Sequence, residues 1–247
     1  KRFILALIPA ITLVTPLPAA AHDGNRPFGV TFSGCAEYVG FGPVSMAKAQ
    51  ALVPRRFTVT DMGGVAGIVV RAATCDSISV DGGPGIRAMV SHVGVNIVSP
   101  DGSGDINNYT IVYATNHPGL ADKLRRMGLP AVYNPLIVDE DPAALPGEAY
   151  VSVFDDRLPA YSITGSVNAP SIPAFPFLAN WWYSGRDGVI KMATDIPLIA
   201  FGFAALEFRT SSSSVLGNLI GGNTFSNFPW YNVRGEYGTA QMTVTAR

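Results

Sequence analysis

Along most of the chain, apolar and polar positions alternate with a period of two, the pattern of strands that bury one face. Gly29 to Phe41 alternates in this way and sets Thr31, Ser33, Cys35, Glu37 and Val39 on one face. Val65 to Val80 reads as a long strand with Val69, Arg71, Ala73 and Cys75 in common. Ile86 to Ser99 and Tyr109 to Thr115 are β-branched runs on either side of an Asp101-Gly102-Ser103-Gly104 turn. In the first of these, Val90, His92, Gly94 and Asn96 share a face. More strands are predicted over Ala131 to Val138, Glu148 to Phe154, Ala160 to Asn168 and Phe177 to Tyr183. Gly188 to Thr194, Leu198 to Thr210 and Gly235 to Thr245 complete the set, the last with Tyr237, Thr239, Gln241 and Thr243 on one face. Pro170 to Pro176 carries three prolines and is predicted to be a loop.

The period switches to that of a helix in two places. Ser45 can cap a helix over Met46 to Val53, stopped by Pro54. Asn116 can cap another, with Pro118 in its first turn and Leu120, Leu124 and Met127 on one face. Gly128 and Pro130 end it. Val215 to Ile220 reads as a single helical turn closed by Gly221-Gly222. About eleven strands and no internal repeat predict a mainly β protein. A single antiparallel sheet closing into a barrel or cone fits that pattern.

Composition narrows the function. Only 14% of the residues are charged, 48% are hydrophobic, and the formal net charge is −1. With no basic patch, nucleic acid is not an expected partner. So few charges on a chain this long imply much inward-facing surface, or a surface that meets something apolar, and leave an oligomer open. Lys1-Arg2, the apolar run Phe3 to Val14 and the small residues Ala19-Ala20-Ala21 read as a signal peptide over 1–21. A single β-barrel domain over 22–247 is then expected in a periplasmic or secreted setting, with no transmembrane span in the mature chain. In that compartment Cys35 and Cys75 are expected to bridge; two buried thiols are the alternative.

The order strand, turn, strand, helix and Gly-Leu-Pro corner from Ile86 to Tyr133 resembles the acetoacetate decarboxylase-like family. There, one strand carries a cavity-facing glutamate, and a Gly-aromatic-Pro-Lys corner supplies the lysine that forms a Schiff base. Pro118-Gly119-Leu120-Ala121 through Gly128-Leu129-Pro130 matches the family's helix and corner. Glu37 to Val59 is similar to its opening strand and short helix, and Gly188 to Ile196 and Leu216 to Gly222 to its later strand and loop. The resemblance covers most of the mature chain and implies a barrel with a pocket for a small carbonyl compound. Two departures are decisive. Ala131 and Val132 stand where the lysine belongs, and neither forms an imine. Ser91-His92 stands where the glutamate belongs. The resemblance therefore implies the fold without Schiff-base chemistry; of Lys48, Lys123 and Lys191, only Lys191 is a candidate displaced amine.

The remaining chemistry is sparse. No Gly-x-Ser-x-Gly elbow, His-Glu-x-x-His motif or phosphate loop occurs, and neither a metal nor a cofactor is expected. If Cys35 and Cys75 lie opposite each other in antiparallel strands, Glu37 faces Ala73 and lies diagonal to Arg71. The two are then either a buried pair in a pocket or a surface ion pair. His92 either looks into that pocket as an acid or base, or is a hydrogen-bonded structural residue. Trp181 and Trp182 face opposite sides of a strand, and with Asn96 and Tyr113 they are the candidate substrate contacts. Three functions stay open: a pocket for an apolar or carbonyl-bearing molecule, a lyase, cyclase or hydrolase using His92 with Glu37 and Arg71, and an envelope structural or partner-binding protein.

Overall fold

The computed structural model describes residues 26–139, 148–153, 160–186, 188–226 and 228–247. The segment read as a signal peptide lies outside them, as does the turn at Asp155-Asp156-Arg157. The chain runs β1 (Phe28–Ser45), α1 (Met46–Leu52), β2 (Val65–Val80), β3 (Ile86–Asn96), β4 (Ile106–Thr115), α2 (Pro118–Arg126), β5 (Ala131–Tyr133) and β6 (Val138–Asp139). It continues through β7 (Glu148–Val153), β8 (Tyr161–Val167), β9 (Ile172–Ser184), β10 (Val189–Thr210), α3 (Val215–Ile220), β11 (Thr224–Ser226) and β12 (Tyr231–Ala246).

All the strands join one sheet, in the order β12-β1-β2-β3-β4-β9-β10-β8-β7-β6, with β5 on β4 and β11 on β10. A further pairing of β12 with β10 closes the first seven strands into a ring. The expected all-antiparallel sheet needs one correction. β4 pairs with β9, and with β5, in parallel. The segment from α2 to β8 carries the chain back to the end where β4 began, and so long a return makes a parallel neighbour possible.

Two cores follow from the two faces of the ring. Inside it lie Val69, Ala73, Val90, Tyr113, Trp181, Met192, Ile196 and Phe201. Leu120 and Leu124 of α2, and Met127 that caps it, belong to the same core, so that helix plugs one end of the ring. Outside, Val70, Ala72, Val93, Val95 and Val112 pack against α1, α3 and β7–β8.

The period of two fails along one line. In β1, Phe28, Val30 and Phe32 face inward, and then Cys35 does, because Gly34 takes a left-handed φ of 59° and inverts the alternation. Thr31 and Ser33 therefore do not share the face of Cys35 and Glu37. In β2 the inward set changes from Cys75 to Ile78, where its register on β3 shifts. In β12 it changes from Tyr237 to Ala240, so Thr239, Gln241 and Thr243 leave the face of Tyr237. In β10 it changes from Ile196 to Ile199, beside Pro197. The registers place Gly34 between Asp76 and Gly238, and Gly238 opposite Leu198. Four strands thus bend together, and the ring is pinched beside Cys35.

Other expectations also shift. The helix cap is His117, whose Nδ1 accepts from Leu120 N at 3.1 Å. Asn116 Oδ1 instead accepts from Met89 N at 2.7 Å. The proline segment is strand: β9 begins at Ile172. Its early residues pair only with β10, because β4 reaches it no earlier than Ala179, and an edge tolerates proline. Gly188 to Thr210, read as two strands, is the single long β10 with irregular pairing beside Pro197.

Candidate functional site

Opposite the α2 plug, the ring holds a cavity of about 370 Å³. Its wall is largely aromatic and aliphatic: Phe41, Phe175, Phe177, Phe201, Tyr231 and Trp181, with Val39, Val69 and Val233. Phe175, Phe177, Phe201 and Tyr231 form a chain of ring contacts, with centroids 5.5 to 6.5 Å apart. Polar groups reach the wall at few points: Glu37, Arg71, Asn96, Asn108, Thr194 and, on an exposed residue, Asp105.

Glu37 and Arg71 are the charged centre. Cys35 and Cys75 are bonded and directly opposite, which sets Glu37 opposite Ala73 and diagonal to Arg71. Arg71 donates to Glu37 Oε2 from Nε at 2.9 Å and from Nη2 at 2.6 Å, and Nη2 also donates to Tyr237 OH at 3.1 Å. Their side chains are 11% and 4% exposed, so this is a buried pair rather than a surface one. Burial opposes the guanidinium charge, but the Glu37 charge and hydrogen bond, with Tyr237 and Tyr113, together outweigh it and the Arg71 pKa rises above its ordinary value. Nη1 of Arg71 makes no hydrogen bond to a described residue, and Arg71 borders the cavity. Gly235 makes room for this arrangement, since a Cβ there would come within 2.9 Å of Glu37 Cγ.

His92 pairs with Arg71 on one side and Tyr113 on the other, so the three side chains share the inner face. Its neighbour Ser91 turns outward and donates to Arg71 O at 2.9 Å. His92 does not reach the cavity wall. Trp181 stands in front of it, edge-on at 4.6 Å between centroids, and Tyr113 lies beside it at 4.2 Å. Gly94, on the same face as His92, leaves room for Trp181 and for the Tyr109 carbonyl: a Cβ there would come within 2.7 Å of Trp181 Cζ3 and 2.5 Å of Tyr109 O. Tyr113 also lies behind the wall, fully buried. Of the four expected contacts, Asn96 and Trp181 line the cavity. Trp182 does not, because alternation turns it to the outer core, where its N–H donates to Asn107 Oδ1 at 2.8 Å. Asn108, Thr194 and the mouth aromatics were not anticipated. Asn108 alternates with Tyr109 toward the inner face, and it is the pairing of β4 with β3, Asn108 opposite Asn96, that makes that face the cavity side.

Lys191 leaves the list of candidate amines. It pairs with Trp182 on the outer face, and its Nζ donates to Asp101 Oδ2 and Ser103 Oγ, both at 2.7 Å. Lys48 donates to Asn218 O and Lys123 to Asp81. No described lysine borders the cavity. Among the described residues, no three His, Cys, Asp or Glu side chains gather as a metal site requires.

Burial, with the nearby Arg71 charge, holds the His92 pKa well below its ordinary 6.5, so the ring is neutral in the folded protein. His117 shifts the same way, mainly through burial. The unfolded chain takes up these protons below about pH 6.5 and the folded one does not, so stability falls as pH drops through that value. Well below pH 6.5, His92 alone is expected to contribute a slope approaching about 1.4 kcal/mol per pH unit. Denaturant unfolding of His92→Phe between pH 6.5 and 5 should show the slope reduced by about half that amount at pH 6.5 and by nearly all of it at pH 5. An unchanged slope would mean that His92 is protonated in the fold.

No protein-family profile and no curated protein matches the sequence. Solved structures do. An acetoacetate decarboxylase-like enzyme from Sphingomonas wittichii RW1 superposes over 96% of both chains, with TM-score 0.54 and 12% identity. The fold is that of the acetoacetate decarboxylase-like proteins. An acetoacetate decarboxylase from Legionella pneumophila covers 95% of this chain and 91% of its own, with TM-score 0.53 and 12% identity. The enduracididine biosynthesis enzyme MppR, complexed with pyruvate, covers 89% and 88%, with TM-score 0.53 and 12% identity. Ala131, which follows Gly128-Leu129-Pro130, sits on β5 opposite Tyr113 and on the inner face, where its side chain is a methyl group.

Proposed function

We propose that the protein binds a small, neutral, carbonyl-bearing molecule with an apolar body in the acetoacetate decarboxylase-like cavity, and that it does so without Schiff-base decarboxylation. One observation carries this reading: an aromatic cavity has at its charged centre a guanidinium already neutralised by Glu37. A ligand carbonyl can accept from Arg71 Nη1 without bringing a charge of its own. A carboxylate ligand would meet Glu37, and Asp105 beside the other wall residues, against the single Arg71. That charge balance disfavours keto acids. The described lysines are engaged elsewhere, which supports the absence of an imine. A bonded Cys35–Cys75 pair supports an oxidising compartment outside the cytoplasm. An enzyme using His92 as acid or base is the weaker reading, because Trp181 separates the ring from the cavity.

Calorimetric titration with 1-phenylbutan-1-one and with 4-oxo-4-phenylbutanoate tests the reading. The neutral ketone is expected to bind at least tenfold more tightly. Borohydride added to either mixture should leave the intact mass unchanged. Tighter binding of the carboxylate, or a reduced adduct on any lysine, would overturn it.

A further inference from the structure

Behind Trp181, the inner face of β3 and β4 carries a column of buried polar atoms. His92 Nδ1 and Nε2, Tyr113 OH, Thr110 Oγ1 and Asn108 Nδ2 have no hydrogen-bond partner among the described residues. The registers put His92 opposite Tyr113, and Gly94 opposite Thr110, so these atoms belong to one patch leading back from the cavity wall at Asn108. Each of the four residues that carry them is at most 2% exposed. Unpartnered buried donors and acceptors are rare and costly, and five on adjacent positions call for a cause. The same two strands satisfy their other buried groups. Ser91 donates to Arg71 O and accepts from Tyr161 OH at 2.7 Å, and Thr115 donates to Met89 O at 2.6 Å.

Trp181 separates this patch from the cavity, and it is held differently from its neighbour. The Trp182 N–H is bound to Asn107, and the Lys191 ammonium lies 5.0 Å from the Trp182 ring centre. The Trp181 indole makes no hydrogen bond to a described residue and rests on Gly94 and His92 through contact alone. Displacing it breaks no hydrogen bond to the protein and uncovers groups that lack partners.

We propose that Trp181 is a movable partition, and that the recess behind it receives the polar end of a ligand carrying two 1,3-related oxygens, one donating and one accepting, as in an enolised 1,3-diketone. This rests on the cavity reading above and deepens it. A neutral imidazole offers one N–H and one lone pair, and the Tyr113 hydroxyl offers one of each, so together they match an enol and its carbonyl. The apolar body then stays among the mouth aromatics, and Arg71, paired with His92 across the sheet, borders both compartments.

The probes are 1-phenylbutane-1,3-dione and 1-phenylbutan-1-one, which share a body and differ by the second oxygen. Calorimetry on the intact protein should find the diketone bound at least tenfold more tightly. Tyr113→Phe, which removes one oxygen from a buried ring, should cut that preference for the diketone over the monoketone at least threefold. Nitrogen-15 spectra should show the His92 ring nitrogens moving with the diketone and not with the monoketone. Equal affinity for the two ketones, or a preference that Tyr113→Phe leaves intact, overturns the recess and spares the cavity reading. Binding of neither ketone overturns both.

Discussion

Glu37→Ala is expected to destabilise the protein by about 4 kcal/mol, because among the described residues it leaves the buried Arg71 guanidinium only Tyr237 OH as a partner. The pair itself contributes little net stability. Desolvating two charges costs nearly what their attraction returns, and the large number describes one charge left alone. The two statements separate experimentally. Glu37→Ala together with Arg71→Met removes both charges and should recover most of the loss, so the coupling in the double-mutant cycle should be large. Urea unfolding of the four proteins measures it. A loss below about 1 kcal/mol for Glu37→Ala would place the pair with exposed ion pairs, and the charged centre of the cavity would lose its physical basis.

That pair shows which parts of the site the sequence makes legible. Alternation and one covalent assumption, Cys35 opposite Cys75, are enough to bring Glu37 diagonal to Arg71, because register in antiparallel strands follows from a single fixed pair. The same alternation puts His92 on the inner face. It cannot say what stands between His92 and the cavity. Trp181 lies on β9, which reaches β4 only as a parallel neighbour after a long return, and nothing local in either strand announces that contact. Gly94 illustrates the limit. A glycine in a strand signals a close approach, but the approaching group is a tryptophan ring from far along the chain rather than a ligand.

The failures of period two have a single cause. Gly34, Asp76, Gly238 and Leu198 lie side by side on four strands, and the alternation inverts at each. A strand read alone gives no reason to restart its count there, apart from a glycine that would be unremarkable elsewhere. The mouth was hidden for a different reason. Phe175 and Phe177 sit among prolines that usually exclude strand, and they are strand because that stretch of β9 lies on an edge.

Removing the Cys35–Cys75 bond is the other large expected effect. The bridge closes a sequence separation of 40 residues, for which the chain-entropy argument gives about 4 kcal/mol at 25 °C. The native contacts should change little. β1 and β2 stay paired from Val30 to Ser45 through backbone bonds, and both sulfurs lie in the inner core, which already holds Ala73 and Ala88. The loss therefore falls on the unfolded chain, which gains the freedom the bridge denied it. Cys35→Ala with Cys75→Ala should lower the urea midpoint accordingly, and reduction of the unaltered protein should reproduce the shift. Both forms should still bind 1-phenylbutan-1-one as the oxidised protein does, since Glu37 remains opposite Ala73. If stability is kept without the bond, the unfolded chain already holds β1 against β2. If stability and binding fall together, the bridge is what bends the ring beside Gly34, and Glu37 and Arg71 depend on it for their place in the cavity.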